Sequence, residues 1–247
     1  MVKWILALLA VLLPLAASAG DDVNYTVDGE KFEGYFQKAS GKSKGLVLIV
    51  HDWDGVDDYE KKRTEMVAKL GYDAFAVDLY GKGVRPADTD GKKSHSGRLY
   101  KDRPRMQKLL VEGLAEARKR SGSRAVVMGY CFGGAAVLEL ARSGKGGDMA
   151  GYVTFHGGLA TPEGQSYPKD TAPILVAHGG ADSSITMDHV AQLSKELEQA
   201  GVEYEIQVYS GAPHGFTVFD SDRYQKVADE QSWAAFSEFL KKTLTGM

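Results

Sequence analysis

The sequence predicts an α/β fold with a mostly parallel central sheet and helices on both faces. Continuous apolar runs such as "GLVLIVH" at 45–51 are typical of strands that are buried on both faces. Segments with the hydrophobic period of a helix separate these runs, so strand and helix alternate along the chain. With 247 residues and neither an internal repeat nor a low-complexity linker, the chain fits one large domain.

The elements follow one another in a regular order. A hairpin is predicted over 23–38, because "DG" at 28–29 is a turn signal. Further strands are predicted at 45–51, 74–79, 124–129, 150–156, 174–178 and 202–208, the last near a sheet edge because it alternates with polar residues. Helices are predicted at 57–70, 102–120, 188–200 and 224–244. The polar, glycine-rich residues 80–100 are predicted as a long loop, of a kind that often forms a lid.

Residues 1–19 have the composition of a secretory signal peptide. Lys3 supplies a positive charge, residues 4–15 form an apolar run, and "ASA" at 17–19 is a small-residue cleavage site. The run is shorter than the roughly 20 residues that a spanning helix needs, which disfavours an uncleaved membrane anchor. We therefore expect a periplasmic or secreted protein, cleaved after Ala19, with one domain over 20–247 and no stable membrane association.

Charge and cysteine content narrow the function. Removing residues 1–19 takes away Lys3 and no acid, so the formal net charge changes from −3 to −4. No long basic block follows, and we expect no nucleic-acid partner. Cys131 is the only cysteine, so an internal disulfide is excluded and a thiol-redox role lacks a resolving cysteine. We expect a monomer that uses no cofactor.

The segment "VVMGYCFGGAAV" at 126–137 contains the strongest chemical signal. Its Gly-x-Cys-x-Gly has the form of a nucleophile elbow, a tight turn from strand to helix that needs small residues around the nucleophile. A helix N-terminus also favours a thiolate. Cys131 is therefore the predicted nucleophile; a buried structural cysteine and a thiol for intermolecular pairing are the alternatives.

A base and an orienting acid are expected in the loops after later strands. Asp182 follows the run at 174–178, and His214 follows the run at 202–208. The order nucleophile, acid, base is the order found in α/β-hydrolases. Asp188 lies close enough in sequence to be an alternative acid. The backbone N–H groups of Phe132 and of the loop after "LVLIV" are the expected donors to an oxyanion.

The motifs "GYCFGG", "HGGAD" and "PHGF", with "HDWDG" and "VDLYG" upstream, resemble the dienelactone hydrolase family over roughly 34–244. The resemblance implies an α/β-hydrolase fold and a triad of Cys131, Asp182 and His214. It implies Trp53 as the second oxyanion donor. It also implies a thiol-activating acid, usually glutamate, at Asp52, which is one methylene shorter.

The substrate side departs from the family pattern. Lys82 and Val218 stand where members that cleave dienelactones hold the substrate carboxylate with two arginines. Lys82 is a candidate to hold a carboxylate as a point charge, although Lys lacks the bidentate fork of Arg, and Val218 cannot hold one. Arg85 and Arg98 are candidates to compensate. Four aromatic residues are candidates to line an acyl pocket, or simply to pack the loops: Trp53, Tyr80, Phe132 and Phe216.

The predicted activity is hydrolysis of a small ester or lactone through a covalent thioester. An acyltransferase or peptidase on the same scaffold remains an alternative, as does a catalytically silent exported binding protein. Metal binding by the acidic loop "HDWDGVDD", or by His156 and His178, is disfavoured because the spacing matches no metal-binding motif and glycine turns account for "HGG". We expect no metal.

Overall fold

The computed structural model describes residues 19–122 and 124–246. Eight strands form one sheet in the spatial order β1-β2-β4-β3-β5-β6-β7-β8. The strands are β1 (Asp21–Val27), β2 (Glu30–Gln37), β3 (Leu46–Val50), β4 (Asp73–Val77), β5 (Ala125–Tyr130), β6 (Gly151–Phe155), β7 (Ile174–Gly179) and β8 (Tyr204–Tyr209). The pairings of β1 with β2 and of β2 with β4 are antiparallel, and all the others are parallel. The predicted fold class is confirmed.

Helices cover both faces of the sheet. They are α1 (Asp58–Lys69), α2 (Thr89–Lys101), α3 (Arg103–Arg118), α4 (Phe132–Ser143), α5 (Met187–Ala200) and α6 (Lys226–Leu240), and a π-helical turn, Lys241–Thr245, follows α6. Alternate residues of each inner strand point to opposite faces. Leu48 packs into a core under α2 to α5, whereas Ile49 packs into a second core under α1 and α6. The continuous apolar runs are therefore explained by burial on both sides.

The hairpin and the sheet edge lie where the sequence predicts them. Asp28 and Gly29 have φ values of 50° and 82°, the left-handed pair that a two-residue hairpin turn needs. β8 is the edge strand beside β7. The carboxyl ends of the parallel strands lie along one edge of the sheet, where ligand sites of such sheets form.

The prediction of a loop over the whole of 80–100 was wrong in its second half, which is α2. Asp88 caps this helix by accepting a hydrogen bond from the Gly91 N–H at 2.8 Å. Ser96 and Leu99 are its buried residues, so the helix shows almost no apolar period. The sequence signal was weak because a mostly solvated helix needs no hydrophobic stripe.

The predicted signal peptide, residues 1–19, lies outside the described residues apart from Ala19, and it stays a prediction. Within the described part of the chain, no helix combines the length and the apolar character needed to cross a membrane.

Candidate active site

Cys131 lies at the sharp bend between β5 and α4. Its backbone has φ 49° and ψ −112°, a conformation that is strained for a residue with a side chain. The bend is tight enough that a Cβ on Gly133 would lie 2.3 Å from the carbonyl oxygen of Val50. A Cβ on Gly129 would lie 2.4 Å from the Gly133 backbone. The glycines of the motif are therefore needed to present the sulfur at the sheet edge.

His214 and Asp182 complete a hydrogen-bonded chain with this sulfur. The Nε2 atom of His214 lies 3.1 Å from Sγ of Cys131, and its Nδ1 atom lies 2.8 Å from Oδ2 of Asp182. The other carboxylate oxygen of Asp182 accepts hydrogen bonds from the N–H groups of Ser184 and Ile185, both at 2.9 Å. Asp182 therefore has a fixed orientation, and it contacts the imidazole in place of Asp188, which lies in the first turn of α5.

The surroundings of Cys131 favour the neutral thiol at rest. Burial, and then the nearby Asp52, raise the pKa of Cys131 to about 12. The Phe132 N–H and the Arg223 guanidinium act in the opposite direction. Because a thiolate is the nucleophile, a base in hydrogen-bond contact is needed to take the proton, and His214 is in that position.

The loop after β3 brings a group of carboxyls beside the thiol. The Asp54 N–H donates to Oδ1 of Asp52 at 3.0 Å. Burial, and then Asp54, hold the pKa of Asp52 well above its usual range. Lys92 of α2 neutralises Asp54 with an ion pair at 3.0 Å and lies over the ring of Trp53. Burial and the neighbouring Asp54 thus both disfavour the charged form of the Asp52 carboxyl, which lines the same cavity as Cys131.

The two residues expected to donate to an oxyanion, Phe132 and Trp53, lie close to Cys131. Phe132 is the first residue of α4, and its N–H approaches Sγ of Cys131. Trp53 lines the same cavity as Cys131, and its backbone N–H has no acceptor among the described residues. The role of these two N–H groups as oxyanion donors stays a prediction.

A cavity of about 230 Å³ opens onto the sulfur. Its lining consists of Asp52, Trp53, Cys131, His156, Ser184, His214, Gly215, Val218 and Arg223. Three of these residues were missed by the sequence reasoning: His156, Ser184 and Arg223. His156 directly follows β6, so its place at the carboxyl end of a strand was a usable signal. Arg223 and Ser184 lie in loops beside predicted triad residues, and no pattern distinguished them.

The comparison with known proteins agrees with these features. A family model described as the dienelactone hydrolase family matches residues 32–244. The chain belongs to the dienelactone hydrolase family. It is 26% identical over 209 residues to an Escherichia coli (strain K12) protein named "Putative carboxymethylenebutenolidase", covering 80% of this chain and 76% of that protein. It is 25% identical over 248 residues to a Bradyrhizobium protein named "Probable 2-oxo-3-(5-oxofuran-2-ylidene)propanoate lactonase", covering 92% and 96%.

A solved structure gives the same result for the fold. A dienelactone hydrolase-like promiscuous phosphotriesterase from metagenomic libraries superposes with a TM-score of 0.80 at 26% identity, covering 91% of this chain and 98% of that one. The chain thus has the α/β-hydrolase fold and is a carboxymethylenebutenolidase-like hydrolase, distant in sequence from the relatives named above.

The basic residues that the sequence offered for binding a substrate carboxylate do not line the cavity. Lys82 pairs with Glu33 at 2.8 Å on the outer surface. Arg85 donates to the carbonyl oxygen of Val56 and lies 3.9 Å from the carboxylate of Asp78. Arg98 of α2 contacts His95. These cations already have partners away from Cys131.

Of the four aromatic candidates for an acyl pocket, one lines the cavity and three do not. Trp53 lines the cavity. Tyr80 donates from its hydroxyl to the Trp53 carbonyl at 3.2 Å and so supports that wall from behind. Phe132 and Phe216 are almost fully buried in the two cores, and neither is part of the lining. Val218 does line the cavity, at the position where the resemblance implies an arginine.

Proposed function

We propose that the chain hydrolyses a small ester or lactone through a covalent thioester on Cys131. The observation that carries this proposal is the continuous contact from Sγ of Cys131 through the His214 imidazole to the Asp182 carboxylate. A nucleophile, a base within hydrogen-bond reach and a group that orients the base are the three parts that acyl transfer requires.

The first half of the reaction acylates the thiol. His214 takes the Sγ proton on Nε2, and the sulfur attacks the carbonyl carbon. The oxyanion that forms accepts hydrogen bonds from the N–H groups of Trp53 and Phe132. When the tetrahedral intermediate collapses, the carbon–oxygen bond to the alcohol breaks, and the alcohol oxygen takes the proton from His214. Asp182 stabilises the imidazolium between these two transfers.

The second half releases the acid. His214 removes a proton from a water molecule, and the resulting hydroxide attacks the thioester carbonyl. The carbon–sulfur bond breaks, and Cys131 regains its proton from His214. Asp52 takes part in activating the thiol when substrate binds, as the family resemblance implies.

Arg223 indicates the class of substrate. It is the only basic Lys or Arg side chain in the cavity lining, and it has no hydrogen bond or ion pair with any described residue. Its guanidinium lies close to Gly215. An unpaired guanidinium beside the nucleophile favours an anionic group such as a carboxylate. The Bradyrhizobium relative is named for a lactone with a propanoate group, which supports a small ester or lactone bearing a carboxylate.

The proposal extends to location. The predicted signal peptide supports export, with the mature chain starting at Gly20 and acting as a monomer in the periplasm or the medium. N-terminal sequencing of the protein from a periplasmic fraction tests this step. A mature chain that still begins at Met1 would contradict it.

The activity is tested with a short 4-nitrophenyl ester, using wild type, Cys131→Ala and Cys131→Ser with the thiol kept reduced. We expect Cys131→Ala to lose up to about six orders of magnitude in kcat, as for other enzymes that lose their nucleophile. Equal turnover by wild type and Cys131→Ala would overturn the proposal. No turnover by wild type on any ester would favour a silent binding protein, and transfer to an added amine in preference to water would favour an acyltransferase.

A further inference from the structure

A buried cation lies behind the active-site cavity. Arg63 of α1 has an exposed side-chain fraction of 0%, and it pairs with Asp229 of α6 at 2.5 Å. Its Cζ atom lies 4.2–5.5 Å from the centres of four aromatic rings, those of Tyr59, Tyr130, Phe219 and Trp233. The same guanidinium donates to the backbone carbonyl of Thr217 at 2.7 Å. Arg63 therefore holds the loop that carries His214.

A chain of side-chain hydrogen bonds connects this cation to the cavity wall. Nε of Arg63 lies 3.3 Å from the Tyr59 hydroxyl. That hydroxyl lies 2.7 Å from Oγ1 of Thr217, and Oγ1 of Thr217 lies 2.8 Å from Nε2 of His156. Three contacts thus join a guanidinium to an imidazole that lines the cavity.

The direction of these hydrogen bonds follows from the donors available. Arg63 can only donate, so the Tyr59 oxygen accepts. The proton of Tyr59 then has one acceptor among the described residues, Oγ1 of Thr217, and leaving that proton unpaired would cost free energy. The proton of Thr217 is left for Nε2 of His156, which must therefore be the unprotonated nitrogen. His156 accordingly carries its proton on Nδ1.

His156 is placed as a support for His214. Its ring packs edge to face on the His214 ring, with centres 5.3 Å apart, and packs in the same way on Phe216. Its φ is 40°, a left-handed conformation that costs energy for a residue with a side chain and that often occurs at functional sites. The residue is 1% exposed, and Nδ1 has no hydrogen-bond partner elsewhere in the described chain.

We propose that His156 is a positioning residue for His214, and that Arg63 fixes it as the Nδ1–H tautomer through the hydroxyls of Tyr59 and Thr217. The proposal rests on the proposed function, in which His214 is the base. A His156 ring locked at Nε2 gives the His214 ring a fixed face to pack on. A neutral His156 also leaves the imidazolium that forms on His214 without a like charge beside it. Burial and the neighbouring His214 hold the pKa of His156 well below its usual range, which agrees with a neutral ring.

The tautomer is tested without any substrate, by ¹⁵N NMR of the full-length protein labelled at histidine. We expect wild-type His156 at neutral pH to show a protonated Nδ1 and an unprotonated Nε2. In Tyr59→Phe the Thr217 oxygen no longer receives the Tyr59 proton, so it can accept a proton from Nε2 of His156 as well as donate to it, and the His156 signals should move towards a mixture of tautomers. A protonated Nε2 in wild type, or no change in Tyr59→Phe, would overturn the relay.

The positioning role is tested by steady-state kinetics on the 4-nitrophenyl ester. Thr217→Val removes the hydroxyl that bonds His156, and we expect kcat to fall about tenfold with KM nearly unchanged, the size of effect that one buried hydrogen bond gives. Thr217→Ser keeps the hydroxyl and should restore kcat. If Thr217→Val does not fold, Tyr59→Phe supplies the same comparison.

Tyr224→Phe is the matched control. It removes a hydroxyl that bonds Asp229 at 3.2 Å, on the other side of the same buried ion pair, and it does not touch Thr217. We expect wild-type kcat for this variant. Equal kcat for wild type, Thr217→Val and Tyr59→Phe would overturn the positioning role while leaving the proposed hydrolase function intact. A wild type without any turnover would overturn that function and leave the NMR result to decide the relay.

Discussion

Two polar loops of the molecule carry basic residues beside the sheet edge, and only one of them presents a free cation to the cavity. The loop after β4 holds Lys82 and Arg85, which already pair with Glu33 and with Asp78. The loop between β8 and α6 holds Arg223, which lines the cavity and has no partner among the described residues. Lys82 and Arg85 are therefore already occupied by acidic partners, whereas Arg223 is free to bind an anionic group of the substrate. Position in the sequence relative to Cys131 does not reveal this difference.

The largest effect should come from removing the hydrogen bond that orients His214, which lies in the same loop as Arg223. Asp182→Asn removes the carboxylate that holds Nδ1 of His214, and we expect kcat to fall by about 10⁴, as for the same change in a serine-protease triad. Asp188→Asn, in the exposed first turn of α5, is the matched control and should have wild-type kcat. A mild effect of Asp182→Asn and a severe effect of Asp188→Asn would mean that the orienting acid is misassigned.

Arg223→Met tests the free cation directly. A charge-assisted hydrogen bond is worth about 1.5–3 kcal/mol, so we expect kcat/KM for an ester with a carboxylate to fall roughly 10–100-fold. For a neutral ester of the same size, kcat/KM should hardly change. The discrimination between the two esters is the quantity to measure. Equal losses on both esters would show that Arg223 supports the fold of the loop and does not select the substrate.

Asp52→Asn should have opposite effects on two rates, the alkylation of Cys131 in the free enzyme and the hydrolysis of an ester. Asp52 contributes to the raised pKa of Cys131, so its removal should lower that pKa and increase the thiolate fraction at any pH below it. Since one pKa unit changes that fraction about tenfold, we expect alkylation by iodoacetamide at pH 8 to be several-fold faster. Ester hydrolysis should nevertheless become slower, because the activating acid is lost.

The exposed Asp58 of α1 supplies the control for that experiment. Asp58→Asn should leave both the alkylation rate and the hydrolysis rate unchanged. If Asp52→Asn made alkylation slower, Asp52 would be acting on the resting thiol as a base, in conflict with its contribution to the raised pKa of Cys131.

The smallest effect should come from the loop after β4, in which Lys82 and Arg85 already have acidic partners. The side chains of Lys82 and Glu33 are 46% and 25% exposed, and exposed ion pairs contribute about 0–1 kcal/mol. We therefore expect Lys82→Met to change the free energy of unfolding by less than about 1 kcal/mol and to leave the preference between anionic and neutral esters unchanged. If Lys82→Met lost the preference for the anionic ester, Lys82 and not Arg223 would be the residue that selects it.

The sequence predicted the parts of the molecule that local rules determine. The parallel strands were visible because burial on both faces demands continuous apolar runs, as at β3 and β7. Cys131, Asp182 and His214 were visible because each directly follows such a run, and the carboxyl ends of parallel strands meet at one edge. The glycines at 129 and 133 identified the bend because no larger residue fits there.

The other features depend on tertiary contacts that leave no local pattern. Helix α2 is mostly solvated, and its Lys92 matters only because Asp54 lies opposite. Arg223 follows His214 by nine residues without a motif. His156 was considered only as a glycine-turn residue or a metal ligand, because its hydrogen bond to Thr217 joins residues 61 positions apart.

The most direct test of the proposed chemistry is intact-protein mass spectrometry after rapid acid quenching of the reduced enzyme with a short activated ester. We predict a mass increase equal to one acyl group on wild type, located on Cys131 by peptide mapping and absent from Cys131→Ala. Turnover without any adduct on Cys131, together with full activity of Cys131→Ala, would contradict the thioester mechanism.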